Sequence, residues 1–147
     1  MTTLLSTWQA WAVLAAVFAA LTALLAKVGV EGADPDAATL ARTVVVALVL
    51  AALLGATGRL GGVAGLAELS GRSWTFLVLS GLATGASWVC YFRALKLGPA
   101  SQVAPVDKLS VVMVAVLAAT FLGETLSSTA WLGVALVGAG AVLVAVG

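Results

Sequence analysis

Five times in 147 residues the chain runs for about 20 positions with little besides Ala, Leu, Val and Gly, and this repetition constrains the fold more than any single motif. The runs fall at about 6–27, 35–56, 74–97, 100–122 and 129–146. A helix that crosses a bilayer needs about 20 mostly apolar residues. Only 9% of the residues are charged, against roughly a quarter in a soluble domain. Such a chain cannot cover itself against water, so its solvent is mostly lipid. Lipid offers no partner to a free backbone group, which leaves helices or a closed barrel. Barrel strands alternate apolar and polar residues over about 10 positions, and runs such as VVVALVLAALL do not. The expected class is an all-α membrane protein, a bundle of five transmembrane helices forming a single domain over residues 1–147. No internal repeat is visible.

The punctuation between the runs agrees. Asp34 is placed to cap the second span, with Pro35 at its first helical position. Gly98-Pro99 ends the third span and Gly123 the fourth. The stretch TGRLGGVAGLAELSGRS is the longest break. A secretory signal would need a basic n-region, and residues 1–10 hold no Lys or Arg, so the first run is expected to be a true span.

Several function classes drop out. The net charge of +1 offers no basic patch for nucleic acid. Cys90 is the single cysteine and there is no histidine, which excludes a disulfide framework and His- or Cys-based metal sites. No metal or other cofactor is expected. An intramembrane enzyme would need a nucleophile and base, and no such pairing stands out.

Orientation is poorly marked. Arg59 and Arg72 lie on one side of the membrane, Lys27 and Lys96 on the other. Counting the deeper Arg42 and Arg93 raises the second side to four. Cytoplasmic loops carry an excess of Lys and Arg, and so small a bias permits either one fixed orientation or insertion both ways up.

The most chemically varied run is SWVCYFRALKLGPASQVAPVDKLS, residues 87–110. At 1.5 Å per residue, Arg42 sits about 10 Å into the second span and Arg93 roughly 6 Å from the end of the third. Asp107 and Lys108 sit about 10–12 Å into the fourth. Alternating helix directions bring Arg42, Arg93, Asp107 and Lys108 to one side as an intramembrane charge layer, with Lys27, Glu31, Asp34 and Asp36 just outside it. A charge at that depth costs at least about 2.5–3.5 kcal/mol and is usually paired or functional. Asp107 is the single acid so deep, so its partner is Arg42, Arg93, Lys108 or water. Long basic stems can instead snorkel to headgroups, which remains open for Arg42, Arg93 and Lys96. Pro105 loosens the helix just ahead of Asp107.

At 100° per residue Thr84, Ser87, Trp88 and Tyr91 share one face of the third span, and Arg93 points almost the opposite way. That polar-aromatic face is the expected pathway wall, with an ordinary interfacial aromatic belt as the alternative. Gly81 and Gly85 form a GxxxG pair, and Gly133, Gly138 and Gly140 line the last span; both sets suit close helix packing, either inside one chain or between two.

SGLATGASWVCYFRALKLGPASQVAPVDKLS, then FLGETLS, then a Gly-rich last span together resemble the EamA family of drug/metabolite transporters. The resemblance covers nearly the whole chain and is strongest over residues 73–147. It implies a ten-span transporter plan of two inverted five-span halves, of which this chain is one. It also implies a cavity among the first, third and fourth spans, which directs attention to Trp88, Tyr91, Asp107, Lys108 and Ser110. Small multidrug resistance proteins, by contrast, use a Glu inside the first span, and that span here has no acid. An odd number of spans means that a second half must insert upside down, either as an antiparallel homodimer or as a homologous five-span partner.

The expected function is transport of a small metabolite or drug-like solute by alternating access, in the cytoplasmic membrane of a prokaryote. The competing expectation is a non-transporting accessory subunit of another complex. A carrier needs a hydrated cavity around Asp107, which a subunit does not.

Overall fold

A computed structural model describes residues 8–58 and 69–147. The start of the first span at Ser6, and Arg59 with most of the Gly-rich break, lie outside the described residues. The helices are α1 (Trp8–Val30), α2 (Pro35–Ala56), α3 (Gly71–Leu97), α4 (Ala100–Asp107), α5 (Leu109–Leu117) and α6 (Ser128–Val146), with a π-helical turn over Ala118–Leu122. No strand occurs among the described residues. Five stretches are long and apolar enough to cross a membrane, with α4, α5 and the π turn together making Ala100–Leu122. Two boundaries differ from expectation. The first helix runs three residues past Lys27, to Val30, and the third begins at Gly71 rather than Trp74.

The helix starts follow local chemistry. Asp34 accepts from the backbone N–H of Asp36 at 3.1 Å and of Ala37 at 2.9 Å, with Pro35 in the first turn. These N–H groups have no partner within the helix, so the carboxylate supplies it. Ser70 Oγ accepts from Ser73 N–H ahead of α3, which explains the earlier start. Ser127 does the same for α6 through Ala130. Gly123 closes the π turn at φ +68°, a left-handed conformation that favours glycine.

The fourth span is broken near its middle. Pro105 has no N–H to give the preceding turn. Lys108 N–H donates to Pro105 C=O at 3.0 Å, and Val111 N–H to Lys108 C=O at 2.9 Å. These three-residue steps tighten the backbone at Lys108, between α4 and α5. In place of the expected loosening at Pro105, the helix tightens at Lys108, three residues on, where the backbone stays right-handed at φ −71° and ψ −6°.

The described residues of Met1–Val28 group with Leu97–Gly147, and Gly29–Lys96 forms a second compact unit. In the first unit α6 packs against α4 and α5. Its buried side chains are small: Ala23, Ala26, Ala115, Ala118 and Ala141. In the second, Val30, Phe92 and Leu95 are buried together with Thr39. Thr39 Oγ donates to Pro35 C=O at 2.8 Å, so its hydroxyl is satisfied within its own helix. Most large apolar side chains of both units face outward, the arrangement expected where the outer solvent is hydrocarbon.

Candidate functional site

The second unit gathers basic side chains at the N-terminal part of α2 and the C-terminal part of α3. Arg93 grips Asp36 with two bonds, Nε to Oδ1 at 3.1 Å and Nη2 to Oδ2 at 2.7 Å. The planar fork of guanidinium matches a carboxylate in this bidentate way. Arg42 lies over the Trp88 ring at 4.2 Å from its centroid and 5.6 Å from that of Phe92. The pairs run in antiparallel register: from Asp36 to Arg42 is six residues up α2, and from Arg93 to Trp88 is five residues back along α3.

Lys96 acts on backbone. Its Nζ donates to the carbonyls of Val30 and Glu31 at 2.9 Å and of Ala33 at 3.0 Å. A helix leaves its last carbonyls without partners, and here one ammonium with three donors serves the end of α1 and the loop after it. In the other unit Lys27 Nζ donates to Gly98 C=O at 3.1 Å, just beyond the end of α3. Each of these two helices thus supplies a lysine to the carbonyls at the other's end.

The second polar cluster is the break in the fourth span. Lys108 Nζ lies 3.1 Å from Asp107 Oδ2, with both side chains partly exposed. The bond joins neighbours in sequence at the point where the helix is interrupted. Ser110 follows on the exposed side of the first turn of α5.

These positions narrow several expectations. Of the partners expected for Asp107, Lys108 is the one it meets, while Arg93 is paired with Asp36. Lys96 ends on the carbonyls of Val30, Glu31 and Ala33. Arg42 is held by rings at its own level. Of the four residues expected in a charge layer, Arg42 and Arg93 belong to one unit and Asp107 and Lys108 to the other. Trp88 and Tyr91 are half-buried on α3, while Thr84 and Ser87 are exposed. Thr84 Oγ donates to Ser80 C=O at 2.9 Å, so its hydroxyl is committed to its own helix. Although Trp88 and Arg93 belong to different faces of α3, both reach side chains of α2. A Cβ built on Gly81 or Gly85 would meet no heavy atom within 4 Å. Close packing inside the chain is therefore not found at this pair among the described residues. It is found instead at Gly138, where an added Cβ would come 3.1 Å from Val112 Cγ2.

Asp36, expected just outside the charge layer, is the partner of Arg93, a pairing that its place as a first-turn acid did not single out. The signal available was register: in an antiparallel α2–α3 pair, positions 36 and 93 stand at the same end. Phe92, beneath Arg42, gave no signal beyond its apolar type.

The fold and these clusters define a multi-pass helical membrane protein with a broken polar span. The sequence profile of the EamA-like transporter family matches residues 6–146, and the chain belongs to that family. A protein of Sinorhizobium sp described as an uncharacterized transporter in the cobO 3' region is 59% identical over 140 residues, covering 95% of this chain and 97% of that one. No solved structure matches the chain. Family and relative together place the protein among membrane transporters.

Proposed function

We propose that the protein carries a small metabolite or drug-like solute across the cytoplasmic membrane of a bacterium by alternating access. The observation that supports this most directly is the interruption of the span Ala100–Leu122 at Lys108, with Asp107 and Lys108 at the break. Transporter sites commonly lie where a spanning helix is discontinuous, because freed backbone and polar groups there can meet a solute. Irregular backbone at that depth is tolerated where it lines a cavity. On this reading Asp107, Lys108 and Ser110 border the pathway.

Five spans make one half of the inverted plan, so the working unit is an antiparallel pair: two copies of this chain, or this chain with a homologous five-span partner. The open face at Gly81 and Gly85 offers such a partner a place for close helix approach.

The test uses Ser110→Cys in a Cys90→Ala background, in membranes, with an aqueous thiol reagent. The carrier reading expects labelling at position 110. No labelling under any condition removes the cavity and leaves an accessory subunit. Paired reporters at the C-terminus, one active in the cytoplasm and one outside it, test the pairing. Signal from both is expected for a homodimer, and signal from one requires a different partner chain.

A further inference from the structure

Six Lys and Arg side chains lie in the described residues, and four of them reach an oxygen acceptor. Arg93 has Asp36, Lys108 has Asp107, Lys96 has three carbonyls and Lys27 has the Gly98 carbonyl. Arg72 is the second residue of α3, where water and headgroups can reach it, and it lies 5.9 Å from the Phe76 ring. Arg42 is different. It is seven residues beyond Pro35, about 10 Å along the helix, in a stretch apolar enough to span a membrane. Among the described residues no carboxylate lies within 4 Å of it. Its guanidinium carbon lies over the Trp88 ring, 4.2 Å from the centroid, and 5.6 Å from that of Phe92.

A guanidinium over an aromatic ring uses its face, while its N–H donors point outward in its own plane. The contact holds the charge in place and leaves the fork unfilled. An ionised group at such depth calls for a counter-charge. The nearby acids are engaged elsewhere: Asp36 in the Arg93 pair and Asp34 in capping α2. An oxyanion with two oxygens side by side fits the empty fork best.

We propose that Arg42, held over Trp88, is an oxyanion-binding residue, and that the solute this transporter carries bears a carboxylate or phosphate group. The solute assignment rests on the carrier reading, whereas oxyanion binding at Arg42 stands without it. The same chemistry is present in a lipid phosphate, so the test must separate the two sources.

The experiment is thermal unfolding of the purified full chain in a neutral, lipid-free detergent, titrated with four matched probes: benzoate, phenyl phosphate, benzamide and benzylammonium. The expected result is a rise in the melting midpoint with benzoate or phenyl phosphate alone. Arg42→Gln should weaken that response about tenfold or more, and Arg42→Lys, which keeps the charge but loses the fork, should weaken it less. If Arg42→Gln does not fold, the Lys variant carries the test, with a loss of oxyanion affinity expected and no loss overturning the proposal. Equal responses to the neutral or cationic probe, an undiminished response in Arg42→Gln, or no response to either oxyanion would also overturn it. Phosphatidylglycerol added to the detergent is the lipid arm. A shift with that lipid alone would make Arg42 a headgroup contact and overturn the solute assignment. Oxyanion binding without labelling at position 110 would retain the site and remove the carrier. Labelling without oxyanion binding would do the reverse.

Discussion

Among the described residues, the buried side chains of Gly29–Lys96 are Val30, Thr39, Phe92 and Leu95, whereas those of the other unit are five alanines. The first of these regions is crossed by long basic side chains that end on a carboxylate, on rings and on carbonyls. The second brings α6 against α4 and α5, with Gly138 beside Val112. The contrast has a physical source. Lipid tails are as apolar as leucine, so burying apolar area does little to join helices in a membrane. Helices then associate by close van der Waals approach, which small residues permit, or by polar bonds that hydrocarbon cannot replace. Polar bonds predominate in Gly29–Lys96 and close approach of small residues in the other unit, where Lys27 adds one polar bond to Gly98.

The largest expected effect is at Lys96. Lys96→Met strips the donor from three carbonyls at once, and unfolding in mixed micelles should show a loss of about 2–3 kcal/mol. Lys96→Arg should recover part of it. A loss no greater than that of an exposed surface substitution would break the distinction between the units.

Gly138→Val comes next. The added bulk meets Val112 and should cost about 1–2 kcal/mol by overpacking, read in the same unfolding assay. A smaller partner side chain, Val112→Ala, should relieve it in the double variant. Absence of relief would mean that the α5–α6 approach is not what sets the cost.

The Asp36–Arg93 pair should matter less, since both side chains are about half exposed and such pairs are screened by solvent. A double-mutant cycle with Asp36→Asn and Arg93→Gln should give a favourable coupling smaller than the Lys96 effect. A coupling larger than that would mean the pair is shielded in the membrane.

The smallest effect is expected at Gly133, one of the glycines of α6 with no atom within 4 Å of an added Cβ. Gly133→Ala should be neutral or stabilise by up to about 1 kcal/mol. Clear destabilisation there would reveal a packing surface shared with another chain.

Much of this molecule was legible beforehand. The helices, the Asp34–Pro35 start, the Gly123 stop and the trouble at Pro105 all follow from chemistry that acts within a few residues. A run of 20 apolar side chains has one outcome in lipid, and a proline withholds its N–H in any setting. The partners of the charged groups were harder. Depth alone grouped Arg42, Arg93, Asp107 and Lys108, but depth is one coordinate. Which acid Arg93 meets also depends on helix rotation, register and how far a flexible stem reaches. The same limit applied to the glycines: GxxxG at Gly81 and Gly85 carried the stronger motif, yet the close approach is at Gly138.

By itself, then, the sequence determined the solvent, the helical class, the number of spans and the points where the backbone breaks, because bilayer thickness and backbone hydrogen bonding act on each segment alone. Only the tertiary structure decided that Lys96 closes the end of α1, that Asp36 takes Arg93, and that Arg42 rests on Trp88. Those outcomes require groups 46 to 66 residues apart to meet, which no local rule of backbone or side chain decides.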